Sequence, residues 1–244
     1  SATLLGAARF RRPVEPRQDR PTPLALARDL RDGARQLRRS PIAVAILTTM
    51  VLAIGVSGAQ GTLQIVFVRE VLAPGTGLAS ARAAILATLT TAWGSGMLAG
   101  SLASPLLIDR VPRERLIPVT IAAVGACVVV GGGSTSLAAI VALWFVAGVM
   151  SGVTNVSYES LLQERTPDAF RGRIIATVEA AQEATYVLGI AGAAILARGP
   201  SVPHAMQIVG FGFVLAGVAA SFLLRAAIAA DERGGVAVGV PSEP

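Results

Sequence analysis

Long uncharged stretches alternate with short charged ones over most of this chain. No charged residue occurs from Pro41 to Val68, and a second uncharged run extends from Ala83 to Ile108 before Asp109 and Arg110 end it. The run from Leu116 to Tyr158 also lacks charge, but Gly131-Gly132-Gly133-Ser134-Thr135-Ser136 breaks it with residues that favour turns, so it folds back as two segments. Ile174 to Ala197 is apolar apart from Glu179 and Glu183, and Ala205 to Leu224 follows the Gly199-Pro200-Ser201-Val202-Pro203 turn. A helix rising ~1.5 Å per residue crosses ~30 Å of hydrocarbon in about 20 residues. The pattern therefore predicts an all-α membrane bundle over residues 41–225, with six spans at 41–68, 83–108, 116–133, 137–158, 174–197 and 205–224.

Charge gives this bundle a direction. All 21 basic residues are arginine, and if the six spans alternate, eighteen fall on one side and only Arg69, Arg82 and Arg198 on the other. Arginine-rich loops stay in the cytoplasm, which places both termini there and the protein in a cell membrane as a multi-pass chain. Merging the 116–158 run into one span would carry Arg165, Arg171 and Arg173 to the wrong side, so the asymmetry also supports the count of six.

Flanking segments read differently. Residues 1–40 hold ten arginines, begin without methionine, and lack the apolar core of a signal peptide. They are expected to form a cytoplasmic connector from a missing first half, with an amphipathic helix over 24–39 on the membrane surface, where Leu26, Leu30 and Leu37 share a side. Residues 226–244 show no periodicity and are expected to form a disordered cytoplasmic tail.

Composition agrees with a membrane class: 53% of residues are apolar and 15% charged, with a mean hydropathy of +0.63. The net charge of +6 does not imply nucleic-acid binding, because the arginines are scattered over loops without stacking aromatics; contact with membrane lipid explains them. The single Cys127 permits no intrachain disulfide and reads as a packed core residue. No cluster of Cys, His and carboxylates suggests a metal, and no cofactor motif is present.

Candidate chemistry concentrates in the fifth span. Glu179, Gln182, Glu183 and Tyr186 recur at i, i+3, i+4 and i+7, which places all four on one helix face. Counted from Arg173, Glu179 stands ~9 Å deep and Glu183 ~15 Å deep, near the midplane. A carboxylate at that depth normally faces water or a partner, and burial raises its affinity for a proton, so Glu183, with Glu179, is a candidate proton-coupling or cation-binding site. Gln60 and Gln64 in the first span and Asn155 in the fourth are candidates to line the same cavity or to bond helices together. Glycines at 96 and 100, 148 and 152, and 55, 58 and 61 are expected to serve close helix packing.

Two loops carry a resemblance. Pro105-Leu106-Leu107-Ile108-Asp109-Arg110-Val111-Pro112-Arg113-Glu114-Arg115 resembles the Gly-x-x-x-Asp-Arg-x-Gly-Arg-Arg signature of the major facilitator superfamily, matching at Asp109, Arg110 and Arg113 and departing at Pro105, Pro112 and Glu114. Gln163-Glu164-Arg165-Thr166-Pro167-Asp168-Ala169-Phe170-Arg171-Gly172-Arg173 is similar to the Pro-x-x-x-Arg-Gly-Arg loop of members related to the enterobactin exporter and macrolide efflux proteins. The resemblance implies spans seven to twelve of a twelve-span transporter, a 3+3 inverted repeat, and exchange of drug-like or siderophore-like molecules for protons by alternating access. Asp109, Arg110, Arg113, Glu159, Arg171 and Arg173 would form a cytoplasmic latch in which Arg110 or Arg113 pairs with Glu159.

Three rivals fit less well. A permease subunit of an ATP-driven transporter is echoed by Glu179-Ala180-Ala181, but Thr185 stands where that motif expects glycine. An intramembrane serine protease would use Ser151, but the single histidine, His204, lies in an outer loop. A non-transporting six-helix scaffold that binds a partner is the remaining alternative.

Overall fold

The computed structural model describes residues 41–73, 79–164, 171–199 and 201–236, without the side chains of Arg171, Arg173 and residues 231–236. The connector 1–40 and its amphipathic helix lie outside the described residues, as does most of the 163–173 loop. Six α-helices account for nearly all of what is described: α1 (Pro41–Phe67), α2 (Ala79–Ile108), α3 (Arg113–Gly132), α4 (Leu137–Glu164), α5 (Arg171–Leu196) and α6 (Val202–Val236). Five of them are long and apolar enough to cross a membrane; α5 is not among these, because Glu179, Gln182 and Glu183 interrupt its apolar sequence.

Helix ends follow local chemistry. α3 stops at the glycine turn, where Gly133 N–H donates to Val129 O. Ser136 then accepts a bond from Ala139 N–H at 3.5 Å, satisfying an otherwise unpaired donor in the first turn of α4. Ser201 precedes α6 and its hydroxyl meets His204 Nδ1 at 2.6 Å. Two ends differ from the sequence expectation. α1 does not stop near Val68 but continues as a π-helical turn over Val68–Leu72. α6 runs to Val236, so the tail expected from residue 226 begins as helix; its alanines are strong helix formers, and Leu224 and Ala227 are buried against the bundle.

Packing is dominated by helices that are not neighbours in sequence. α2 packs on α4, α3 on α6, α1 on α5 and α6, and, among consecutive pairs, α3 on α4. Exchanging α1 with α4, α2 with α5 and α3 with α6 leaves this set of contacts unchanged. Glycine makes the closest of them. A methyl at Gly96 would lie 2.1 Å from Phe145 O, and one at Gly148 2.2 Å from Trp93 O; Gly58 and Gly189 meet backbone equally closely between α1 and α5. With lipid on the outside there is little hydrophobic force between helices, and backbone approach of this kind supplies dispersion instead. Polar bonds add to it: Thr120 and Thr154 hydroxyls share a bond of 2.7 Å between α3 and α4, and Cys127 is a free thiol packed against the core.

The surface is apolar where a soluble protein would be polar. Leu98, Leu102 and Leu106 on α2, Phe211, Leu215 and Phe222 on α6, and Val187, Leu188 and Ile195 on α5 are all exposed. Such continuous apolar area marks a membrane or partner surface.

Candidate functional site

Residues of all six helices line a half-open cavity of about 290 Å³. Its walls are apolar with a polar side: Met50, Ile54, Val124 and Phe213 face Ser57, Ser151, Asn155 and Glu159, while Trp93, Tyr158 and Gln182 complete it. A crevice of about 170 Å³ lies beside it, lined by Glu159, Gln163, Ile175, Val178 and Glu179. Tyr158, Glu159 and Gln182 belong to both walls. Gln182 Nε2 donates to the Tyr158 hydroxyl at 3.1 Å, so a single α5-to-α4 hydrogen bond stands at the junction of the two spaces.

The local sequence explains this placement. Asn155, Tyr158 and Glu159 stand at i, i+3 and i+4 on α4 and thus share a face. Ser151 precedes Asn155 by a turn on the same face. On α5, Glu179 and Gln182 follow the same spacing and meet that face from across the bundle. Glu164 ends α4, so Glu159 lies ~7.5 Å further along the axis, well inside the helical body at ~1.5 Å per residue.

The structure brings some of the sequence candidates together and separates others. Asn155 and Gln182 line the central cavity, and Glu179 lines the crevice. Glu183 and Tyr186 continue the same α5 stripe but are exposed on the bundle surface and belong to neither space. Gln64 does not line the cavity: its Oε1 accepts a bond of 3.0 Å from Trp144 Nε1, and Trp144 is among the most buried side chains. Gln60 is buried in the helix packing, away from both spaces. Sequence spacing had put the two glutamines one turn apart without revealing that an indole from α4 occupies one of them.

The expected latch is rearranged. Arg113 pairs with Glu164, not Glu159, and this is the ion pair among the described residues. Arg113 opens α3 and Glu164 closes α4, so the two meet at one level, whereas Glu159 is exposed and borders the cavity and the crevice. Asp109 and Arg110 are exposed in the turn after α2, where Asp109 N–H donates to Pro105 O at 3.2 Å. The side chains of Arg171 and Arg173 lie outside the description.

Trp93, Tyr158 and Phe213 line the cavity without having been singled out in the sequence, and Ser151, weighed there only as a protease nucleophile, lines it too. Tyr158 and Ser151 were accessible from the sequence, since both stand at helical spacing from Asn155. Trp93 and Phe213 carried no such signal, because an aromatic ring in an apolar span has the same appearance whether it faces lipid, a neighbour or a cavity. No group of three or more His, Cys, Asp or Glu with the geometry of a metal site occurs among the described residues.

Comparison with known proteins finds one match. A family model described as Major Facilitator Superfamily aligns with residues 50–237. No curated protein and no solved structure matches. The aligned region takes in nearly all of the bundle, both cavity-lining faces and the Asp109-Arg110 turn. The chain is thus an integral membrane protein of a class that moves small molecules, and it belongs to the major facilitator superfamily.

Proposed function

We propose that this chain forms a six-span half of a secondary transporter, spans seven to twelve, which exports drug-like or siderophore-like molecules in exchange for protons. The observation that carries the reading is the wall of Tyr158, Glu159 and Gln182 that the central cavity shares with a carboxylate-lined crevice. A substrate space lies in one and proton-carrying groups in the other, and the two share a wall. Occupancy of one then alters the energy of charge in the other, which is the minimum that coupling requires.

The contact pattern supports the 3+3 repeat, since it is preserved when the first three helices are exchanged for the last three. Exposure on α5 supports a second half. Glu179 and Glu183 lie on the outside of this bundle, and a carboxylate facing hydrocarbon is costly, whereas one facing a water-filled cleft between two halves is not. α5, though too polar for a lipid-facing span, is suited to line such a cleft. Both termini are read as cytoplasmic, with the Arg113–Glu164 pair and the Asp109-Arg110 turn forming the latch on that side.

In this scheme the proton is carried by the α5 carboxylates, Glu179 in the crevice and Glu183 one turn nearer the midplane. Alternating access follows when protonation of these groups and filling of the cavity favour opposite openings. The reading is tested by reconstituting the full protein in vesicles and imposing a pH gradient with no other energy source. Accumulation of an organic solute that collapses when the gradient is dissipated is the expected result; flux indifferent to the gradient would exclude proton exchange.

A further inference from the structure

We infer that the groove between α3 and α6, at the end of the bundle where α3 begins, holds the headgroup of an anionic phospholipid. Its phosphate sits between Arg115 and Arg225, and an acyl chain lies along the apolar outer faces of the two helices. The groove shares no residue with the central cavity, so the inference is independent of what the chain transports. Its origin is the way the helices meet. A methyl at Gly210 would lie 2.6 Å from Val129 N, and one at Gly217 would lie 2.7 Å from Pro118 O, so two antiparallel backbones touch along this line. Past Gly217 the same face of α6 presents Ser221 and Arg225 instead of glycine. The helices part there, leaving a space of about 730 Å³ with Arg115, Pro118 and Val119 on one side and Ser221, Arg225 and Ile228 on the other.

Charge and apolar surface are ordered along this groove as they are in a phospholipid. Phe211, Leu215, Val218, Phe222 and Arg225 recur at alternating spacings of four and three, which makes one stripe down α6. The first four are 56%, 67%, 46% and 67% exposed, so the stripe faces outward. From Phe211 to Phe222 it is ~16 Å long at ~1.5 Å per residue, about half of the ~30 Å hydrocarbon thickness and hence about one leaflet. α3 repeats the order: Arg115 stands one turn before Val119, which is 64% exposed. A chain lying on these faces brings its phosphate to the level of the arginines, whose planar forks match phosphate oxygens. Among the described wall residues two cations stand against one carboxylate, Glu114. The positive end of the α3 dipole, which Pro112 leaves without a side-chain cap, adds to them. The Ser221 hydroxyl donates to Val218 O at 2.7 Å, so its oxygen and the Glu114 carboxylate face the groove as acceptors. Acceptors beside a phosphate site suit a headgroup that carries hydroxyl groups, such as glycerol, over choline, which has no donor.

The full protein in a nonionic detergent is titrated with dioleoylphosphatidylglycerol, dioleoylphosphatidylcholine and glycerol 3-phosphate, and bound molecules are counted by native mass spectrometry. Saturable retention of one phosphatidylglycerol in preference to phosphatidylcholine is the expected result. Its affinity should fall about fivefold in Arg115→Gln and about fivefold in Arg225→Gln, the effect of one basic side chain at an anionic surface, and further in the double variant. Both arginines are exposed, so neither substitution disturbs the helix packing. Arg198→Gln, exposed at the opposite end of the bundle, should retain the lipid as the unaltered protein does. The inference is overturned if phosphatidylcholine is retained as well as phosphatidylglycerol, or if the double variant binds phosphatidylglycerol undiminished. It is overturned equally if Arg198→Gln weakens retention as much as Arg225→Gln, which would mark a general effect of charge. Displacement of the lipid by an equal concentration of glycerol 3-phosphate would also overturn it, by marking a site for a soluble anion.

Discussion

Gly148→Ala is expected to destabilise the bundle severely, although it adds a single methyl group. That methyl would lie 2.2 Å from Trp93 O, 3.0 Å from Trp93 C and 3.1 Å from Met97 N. All three are backbone atoms in α2, so no side chain can rotate aside and the two helices must separate. The neighbouring contacts share the strain, because Gly96, Gly100 and Gly152 meet the opposite backbone within 2.0–2.2 Å of an added methyl. Overpacking normally costs ~1–3 kcal/mol, and a clash confined to backbone belongs at the top of that range. Gly94→Ala is the matched control: it lies on α2, the helix that Gly148 meets, nothing stands within 4 Å of its added methyl, and a mid-helix glycine replaced by alanine gains ~0.5–1 kcal/mol. Thermal denaturation of the two variants in detergent, followed by the loss of monodisperse protein, should move in opposite directions.

Glu179→Gln is expected to abolish proton-driven accumulation while sparing exchange. One pH unit supplies ~1.4 kcal/mol per proton, enough for a tenfold accumulation when one proton is exchanged for one cargo molecule. An amide in place of the carboxylate keeps the size of the side chain and resembles its protonated form, but cannot release or take up the proton. The accumulation ratio under a gradient should therefore fall to one, whereas swap of labelled for unlabelled cargo across the vesicle membrane, which needs no net proton movement, should continue. Glu183→Gln should behave in the same way if the proton passes along the α5 stripe. Retained accumulation in Glu179→Gln would remove the crevice from the coupling path.

The two outcomes depend on features that the sequence exposes unequally. Uncharged runs mark where helices lie, because the cost of charge in hydrocarbon is paid residue by residue and is visible locally. Glycines at 96, 100, 148 and 152 likewise indicate close packing, but their spacing does not say that α2 and α4 receive each other. Periodicity fixes which residues share a face; it does not fix what that face meets. Gln64 illustrates this, since its partner Trp144 lies 80 residues away. Glu159 illustrates it more sharply. Its position near the end of a span suggests a latch, yet Glu164 at the true helix end takes that pairing, and Glu159 borders two spaces instead. The length of α6 was hidden for another reason: arginine and acidic residues after Leu224 signal departure from the membrane, while helix propensity carries the backbone on to Val236.

Whether the central cavity is a water-accessible path is the most direct test of this account. Cys127 is the chain's only cysteine, so Cys127→Ser gives a background free of thiols. Asn155→Cys, in the cavity wall, and Leu102→Cys, 73% exposed on the apolar outer surface, are then compared in membranes with a hydrophilic, charged maleimide. Rapid labelling at 155, with 102 unreactive, is the predicted result. Labelling at 102 as fast as at 155, or a position 155 that stays unreactive from both sides of the membrane, would contradict it.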